Sequence, residues 1–123
     1  MAAARILLVE DDTGIRESVA EVLELEGYHV SAFSNGSDAL AWLEREVPPD
    51  VLLVDLVMPA MSGGELLARV KADPRLAGVP AILMTAAMPG PQSPMPTADA
   101  TLPKPFELDA LLDVVGRLSR ARA

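Results

Sequence analysis

The segment Val51–Asp55 constrains the fold of this chain more than any other, because four consecutive apolar residues end there in an aspartate. A continuous run of leucine and β-branched residues is typical of a strand buried on both faces, as in a parallel sheet covered by helices. A carboxylate at the end of such a strand is costly unless it is solvated, paired or bound to a metal. Ligands of open α/β sheets collect at that same edge. Asp55 is therefore either a structural cap or the working residue of a site.

The rest of the chain alternates short apolar strands with amphipathic helices. Strands are predicted at residues 6–9, 29–33, 51–54, 79–84 and 100–102. Apolar residues at helical spacing should face the core in the intervening segments: Ile15, Val19, Val22 and Leu23; Ala39, Leu40, Leu43 and Val47; Leu66, Leu67 and Val70; Leu108, Leu111, Leu112 and Val115. Either Asn35 or Ser37 should cap the second helix. This alternation predicts one α/β domain with a parallel sheet, right-handed crossovers and helices on both faces.

Four prolines, at positions 89, 91, 94 and 96, interrupt the pattern where another helix would be expected. One proline in a helix interior costs about 3 kcal/mol. Four together would cost on the order of 10 kcal/mol, which rivals the whole stability of a domain at roughly 5–15 kcal/mol. We therefore predict a partly polyproline-like loop, and no regular helix, from Met88 to Pro96.

The composition excludes several classes of partner. The chain has 123 residues and a formal net charge of −8, with a pI of about 4.5. Direct binding to nucleic acid or to an anionic membrane surface requires clustered basic residues, so neither is expected. No cysteine is present, which fits a cytoplasmic protein. The first apolar run has four residues, too few for a signal peptide or a membrane span.

Polar residues follow four of the predicted strands. They are the acidic run Glu10, Asp11 and Asp12, then Asp55, Thr85 and Lys104. The carboxyl ends of parallel strands lie at one edge of a sheet, so these side chains should converge. Crowded carboxylates repel each other and raise at least one pKa, and a hard divalent cation relieves this repulsion. An all-oxygen site without histidine or cysteine suits Mg²⁺.

The hydroxyl of Thr85 and the ammonium of Lys104 do not suit a metal, but they suit an anion held beside it. A metal, a carboxylate, a hydroxyl and an ammonium together describe a site for phosphoryl transfer to the carboxylate of Asp55. Each residue alone has an ordinary interpretation: Asp12 is expected as a helix N-cap before it is expected as a ligand. Glu10 alone would be a solvated strand end, and Lys104 a surface lysine. Their placement at successive strand ends favours the site.

Nearly all of the chain, residues 5–120, resembles the receiver domain of bacterial two-component response regulators. The residues that carry the resemblance are Ile6–Asp12 with Arg16, Val54 and Asp55 with Met58, Pro59 and Gly63, Met84–Ala86, and Lys104–Phe106. The resemblance implies a flavodoxin-like, doubly wound, five-stranded parallel sheet of order 2-1-3-4-5, with the proline-rich loop in place of the fourth helix. It also implies one receiver domain over residues 5–120, preceded by a disordered N-terminus over residues 1–4.

The resemblance also implies roles for the residues at the strand ends. Asp55 should accept a phosphoryl group from a histidine kinase or a phosphotransfer protein, and the change should reach a downstream protein. The implied Mg²⁺ site comprises Asp11 directly, Glu10 through water, Asp55 and the backbone carbonyl of Val57, with Asp12 as a less favoured ligand. Thr85 and Lys104 should bind the phosphoryl oxygens. The spacing from Arg16 favours Glu10 and Asp11 as the acidic pair of the family. A cis peptide bond is expected before Pro105.

Two departures from the family pattern leave other functions open. Receivers usually carry an aromatic residue three positions before the lysine, where this chain has Thr101. That departure and the proline-rich loop leave room for a docking domain that works without phosphorylation. A hydrolase with an aspartyl intermediate would usually need a second acid at position 57, where this chain has valine. The protein is accordingly expected to catalyse only its own phosphorylation and dephosphorylation.

Overall fold

A computed structural model describes residues 3–86 and 98–122, and within these ranges five strands alternate with four helices. The strands are β1 (Arg5–Val9), β2 (His29–Phe33), β3 (Val51–Asp55), β4 (Ala81–Thr85) and β5 (Ala100–Pro103). The helices are α1 (Thr13–Leu25), α2 (Gly36–Arg45), α3 (Gly63–Ala72) and α4 (Leu108–Arg122). All strand pairs are parallel, in the order β2-β1-β3-β4-β5. The predicted fold class and strand order are confirmed.

Three of the predictions stay untested. The proline-rich loop predicted from Met88 to Pro96 lies outside the described residues, and so does part of the predicted disordered N-terminus. The boundaries of the predicted domain, residues 5–120, likewise stay a prediction.

The central strands have no polar face because each of their two faces is covered by a different apolar cluster. Alternate residues such as Leu7, Leu52 and Leu83 lie in the cluster that includes α2 and α3. Their neighbours in sequence, such as Leu8 and Leu53, lie in the cluster that includes α1 and α4. All five of these side chains are fully buried, and each such burial contributes about 2 kcal/mol. Both faces are apolar, so the hydrophobic pattern is continuous rather than alternating.

Side-chain caps fix the first turns of three helices close to the sheet. Asp12 Oδ1 accepts a hydrogen bond from the backbone N–H of Ile15 at 2.9 Å, at the start of α1. Asn35, rather than Ser37, caps α2, and Ser62 caps α3. Each cap satisfies a backbone N–H group that has no partner within its helix.

Val47 and Leu108 do not face the core, contrary to the sequence prediction, and their exposed fractions are 71% and 53%. The helix α2 ends at Arg45, so Val47 lies beyond the last turn even though its spacing continues the helical pattern. Leu108 is the first residue of α4, where a side chain need not meet the sheet. The apolar periodicity therefore extends past the segment that packs against the core.

The guanidinium group of Arg75 caps the carboxyl end of α2. Its Nη1 donates to the carbonyl of Glu46 at 2.8 Å, and its Nη2 donates to the carbonyl of Leu43. Carbonyls in a last helical turn have no partner within the helix. We expect Arg75→Met to lower the free energy of unfolding by about 1–2 kcal/mol, measured by urea denaturation.

The control for this prediction is Arg45→Met, because within residues 3–86 and 98–122 Arg45 donates only to a carbonyl of its own helix, at 3.3 Å on the exposed surface. The control should change the free energy of unfolding by less than about 0.5 kcal/mol. Equal losses in the two variants would contradict the capping role of Arg75.

Candidate active site

The carboxyl ends of β1, β3, β4 and β5 meet at one edge of the sheet. The strand register pairs Val9 with Val54 and Asp55 with Met84, so Glu10 and Asp55 end adjacent strands at nearly the same level. Thr85 pairs with Pro103 at the end of β5, and Lys104 follows immediately. The parallel register thus brings together residues that are far apart in sequence.

A buried ion-pair cluster forms at this edge. Lys104 Nζ lies 2.6 Å from Glu10 Oε1 and 3.1 Å from Asp55 Oδ1. The residues Glu10, Asp55 and Thr85 are 0%, 5% and 3% exposed, respectively. The backbone N–H of Lys104 donates to the carbonyl of Thr85 at 2.7 Å, which anchors the lysine backbone at the end of β4. The structure therefore places Asp55, Thr85 and Lys104 in one neighbourhood.

Three carboxylates at this edge could hold a metal ion. One oxygen from each of Glu10, Asp11 and Asp55 lies within 4.8 Å of the others. Asp11 is exposed, so a cation can approach from solvent. The donor set is entirely oxygen, which fits a hard cation such as Mg²⁺ and does not favour zinc.

Asp12 and Val57 were also predicted to contribute to the metal site. Asp12 lies outside the group of three carboxylates, and its Oδ1 caps α1. Its backbone N–H instead supports the site, because it donates to Glu10 Oε2 at 3.2 Å. Val57, two residues after Asp55, is 68% exposed, and the role predicted for its backbone carbonyl stays a prediction. The structure thus favours the capping interpretation of Asp12.

The electrostatic balance of the cluster favours uptake of a proton or a cation. Burial raises the pKa of Glu10 and of Asp55 above their ordinary values, although hydrogen bonds from Lys104 oppose the rise. Burial alone would lower the pKa of Lys104, but its hydrogen bonds to Glu10 and Asp55 outweigh this effect and raise it. The cluster contains three carboxylates and one ammonium, which contacts two of them, so the fully ionised cluster is negative. A divalent cation would balance that charge.

The connection after Asp55 returns close to the strand end. The backbone N–H of Gly63 donates to the carbonyl of Leu56 at 2.9 Å. A Cβ atom at position 63 would lie 2.3 Å from the carbonyl oxygen of Asp55, so only glycine fits against this backbone. Ala60, in the same connection, has a φ of 65°, a conformation that residues other than glycine rarely adopt. Gly63 carries part of the family resemblance, but the sequence gives no sign of this close approach to Asp55.

Arg16 contacts the turn between β1 and α1 that carries Glu10 and Asp11. In the sequence this arginine served only as a marker of the family. Arg16 Nη1 donates to the carbonyl of Glu10 at 2.9 Å and to that of Asp11 at 3.4 Å. On the other side of the site, the Lys104–Pro105 peptide bond is cis, as predicted.

Comparison with known proteins settles the family. A model of the response regulator receiver domain matches residues 6–116. This chain belongs to the receiver domain family. The relationship agrees with the strand order and with the position of the acidic cluster at the carboxyl edge of the sheet.

Relatives of this receiver domain include both curated sequences and solved structures. The response regulator receiver protein CpdR of Brucella abortus is 39% identical over 115 residues, covering 93% of this chain and 95% of CpdR. The signal receiver domain of a histidine kinase from Syntrophus aciditrophicus has a TM-score of 0.89 and 32% identity, covering 97% of this chain and 92% of that one. Several other curated relatives are longer, and this chain spans half of their length or less.

One solved relative bears on the metal. The receiver domain of the sensor histidine kinase PA1611 from Pseudomonas aeruginosa has a magnesium ion coordinated in its active-site cleft. It has a TM-score of 0.88 and 28% identity to this receiver domain, covering 97% of this chain and 99% of that one.

None of the helices within residues 3–86 and 98–122 is long and apolar enough to cross a bilayer.

Proposed function

We propose that this receiver domain accepts a phosphoryl group on Asp55 from a histidine kinase or a phosphotransfer protein, with Mg²⁺ as cofactor, in the cytoplasm. The phosphorylated form would then change its interaction with a downstream protein. The observation that carries this proposal is the buried contact of Lys104 Nζ with Asp55 Oδ1, at 3.1 Å, beside the three carboxylates. A structural cap alone would need neither a half-buried lysine nor a second and a third acid.

In the proposed reaction, an oxygen of the Asp55 carboxylate attacks the phosphorus of the donor. A new O–P bond forms, and the bond from phosphorus to the donor breaks with its electron pair leaving on the donor. Lys104 lies next to the attacking carboxylate, so its ammonium can bind an oxygen of the incoming phosphoryl group. Thr85, at the end of the neighbouring strand, is the proposed second ligand of these oxygens.

The residues proposed to hold the metal are Glu10, Asp11, Asp55 and the backbone carbonyl of Val57. When bound, Mg²⁺ would neutralise the acidic group and the phosphoryl oxygens. The all-oxygen donor set supports this assignment, as does the magnesium ion in the PA1611 receiver domain. The buried carboxylates keep their raised pKa values until a cation arrives, so Mg²⁺ and protons compete for the same site.

The test is intact mass spectrometry after incubation with acetyl phosphate and Mg²⁺. The wild-type domain should gain the mass of one phosphoryl group, and both Asp55→Asn and a chelator should abolish the gain. The matched control is Asp109→Asn, since Asp109 is an exposed aspartate at the start of α4. This control should be modified like the wild type. Undiminished modification of Asp55→Asn would overturn the assignment of the acceptor.

A second candidate function is docking without phosphorylation. It is favoured by the exposed Thr101 of β5, at the position where the family resemblance leads one to expect an aromatic residue. Absence of any modification in the same experiment would favour this function. Rapid turnover of the phosphodonor without stable modification would instead indicate a hydrolase.

A further inference from the structure

We propose that Arg16 is a positioning residue that shapes the turn between β1 and α1 so that Glu10 and Asp11 can bind Mg²⁺ together. This inference rests on the proposed function, because it assigns a role to Arg16 only if the acidic group binds the metal. Arg16 would touch neither the metal nor the phosphoryl group, and would act through the backbone of the two acidic residues.

The contacts of Arg16 point to the turn rather than to the carboxylates. Its Nη1 atom donates to two successive carbonyls, that of Glu10 at 2.9 Å and that of Asp11 at 3.4 Å. These carbonyls belong to two members of the three-carboxylate group. The backbone N–H of Arg16 also donates to the carbonyl of Asp12 at 2.9 Å. One residue of α1 thus contacts three consecutive carbonyls of the turn.

The acidic group needs such a restraint because its members differ in their freedom to move. Glu10 is fully buried, and Asp55 is nearly so, whereas Asp11 is exposed. Repulsion among three carboxylates within 4.8 Å would be relieved most easily by movement of Asp11 into solvent. A metal site that loses one carboxylate ligand in this way must recover it when the metal binds, which weakens the affinity.

Lys104 does not supply the restraint on Asp11. Its ammonium contacts Glu10 and Asp55, and no ion pair among residues 3–86 and 98–122 includes the carboxylate of Asp11. Lys104 therefore holds only the two buried acids of the group. Arg16 contacts the backbone of Asp11.

The positive charge of Arg16 and its contacts with the turn would affect Mg²⁺ binding in opposite directions. Removing a cation near a Mg²⁺ site should strengthen metal binding if long-range repulsion were the main contribution of Arg16. Removing a residue that positions metal ligands typically weakens metal binding by about 10–100-fold. The sign of the change in Mg²⁺ affinity therefore distinguishes positioning of the ligands from long-range charge repulsion.

The experiment is isothermal titration of the full chain with Mg²⁺ for the wild type, Arg16→Met and Arg16→Lys. Arg16→Met should raise the Kd for Mg²⁺ by about 10–100-fold. Arg16→Lys keeps a charged donor and should restore part of the affinity. At saturating Mg²⁺ the rate of phosphorylation of Arg16→Met by acetyl phosphate should approach that of the wild type. The control is Arg45→Met, whose Kd for Mg²⁺ should be unchanged.

An unchanged or lowered Kd in Arg16→Met, with wild-type Mg²⁺ binding intact, would overturn the role of Arg16 and leave the proposed function standing. A slow reaction of this variant at saturating Mg²⁺ would also overturn it. Absence of Mg²⁺ binding in the wild type would overturn both. Should circular dichroism show Arg16→Met to be unfolded, Arg16→Gln carries the same prediction of weaker Mg²⁺ binding.

Discussion

Gly63→Ala is expected to lower the free energy of unfolding by about 3 kcal/mol or more. The added Cβ would lie 2.3 Å from the carbonyl oxygen of Asp55 and 2.9 Å from Cα of Leu56. Both are backbone atoms that cannot rotate away, so the start of α3 must separate from the end of β3. For a chain of this size the melting temperature should fall by about 10 °C or more. Because the displaced strand end carries Asp55, modification by acetyl phosphate should also be lost.

Two other glycines give a graded set of controls for this result, measured by thermal and urea denaturation. A Cβ on Gly36 would meet the sulfur of Met61 at 2.8 Å, a flexible side chain that can move. A Cβ on Gly14 would meet Asp12 Oδ1 at 3.4 Å, which is ordinary van der Waals contact. Gly36→Ala should therefore cost less than Gly63→Ala, and Gly14→Ala should be neutral or stabilising by up to about 1 kcal/mol. A loss in Gly63→Ala no greater than that in Gly36→Ala would contradict the close approach.

Lys104→Met is expected to destabilise the metal-free protein by about 3–5 kcal/mol near neutral pH. The side chain of Lys104 is 17% exposed, and it lies within hydrogen-bonding distance of two buried carboxylates, those of Glu10 and Asp55. Methionine keeps most of the side-chain volume but leaves both carboxylates without their ammonium. Removing one partner of a buried ion pair costs more than the pair contributes, because a buried charge remains uncompensated.

The pH dependence of this loss has a definite sign. Lys104 lowers the pKa of Glu10 and of Asp55, so its removal raises both further above their ordinary values. A carboxyl whose pKa is higher in the folded state is stabilised in that state by protonation. The loss of folding stability in Lys104→Met should therefore be small below pH about 4 and grow as the pH rises. Unfolding curves measured at several pH values check this.

Magnesium and a second lysine provide the controls. Mg²⁺ should raise the melting temperature of Lys104→Met more than that of the wild type, because the cation replaces the missing ammonium. Lys71, the other lysine of the chain, forms a surface ion pair with Asp99 at 3.9 Å. Lys71→Met should cost less than about 1 kcal/mol, with no added response to Mg²⁺. A Lys104→Met protein as stable as Lys71→Met at neutral pH would contradict the buried ion pair.

The sheet could be predicted from sequence because its central strands are covered on both faces. Continuous apolar runs at Ile6–Val9 and Val51–Val54 have few alternatives to a buried parallel strand. The helix ends were less predictable. The side chain of Val47 continues the helical spacing but lies past the end of α2. Periodicity describes which residues would share a face, not where the helix stops.

The site was predictable at the level of strand ends and not at the level of side-chain contacts. Parallel topology alone brings Asp55 and Lys104 to one edge, whatever their partners. That Lys104 lies closer to Glu10 than to Asp55 depends on side-chain conformations that no spacing encodes. The contact of Arg16 with two carbonyls likewise could not be predicted from the sequence, because every residue has a backbone carbonyl and the partner residues need not be of any particular type. The close approach at Gly63 depends on the path of the loop between β3 and α3. The sequence shows a glycine at this position but not the path of the loop.

The ion pair between Glu10 and Lys104 joins side chains 94 positions apart in the chain, and this separation bears on synthesis and folding. During synthesis, β1 and most of the remaining domain must leave the ribosome before Lys104 is available to pair with Glu10. Contacts of such long sequence separation form late, since the chain must first lose the entropy of closing a long loop. Any fragment that stops before residue 104 would contain Asp55 without the lysine beside it. Synthesis of the chain through residue 104 therefore precedes completion of the pocket.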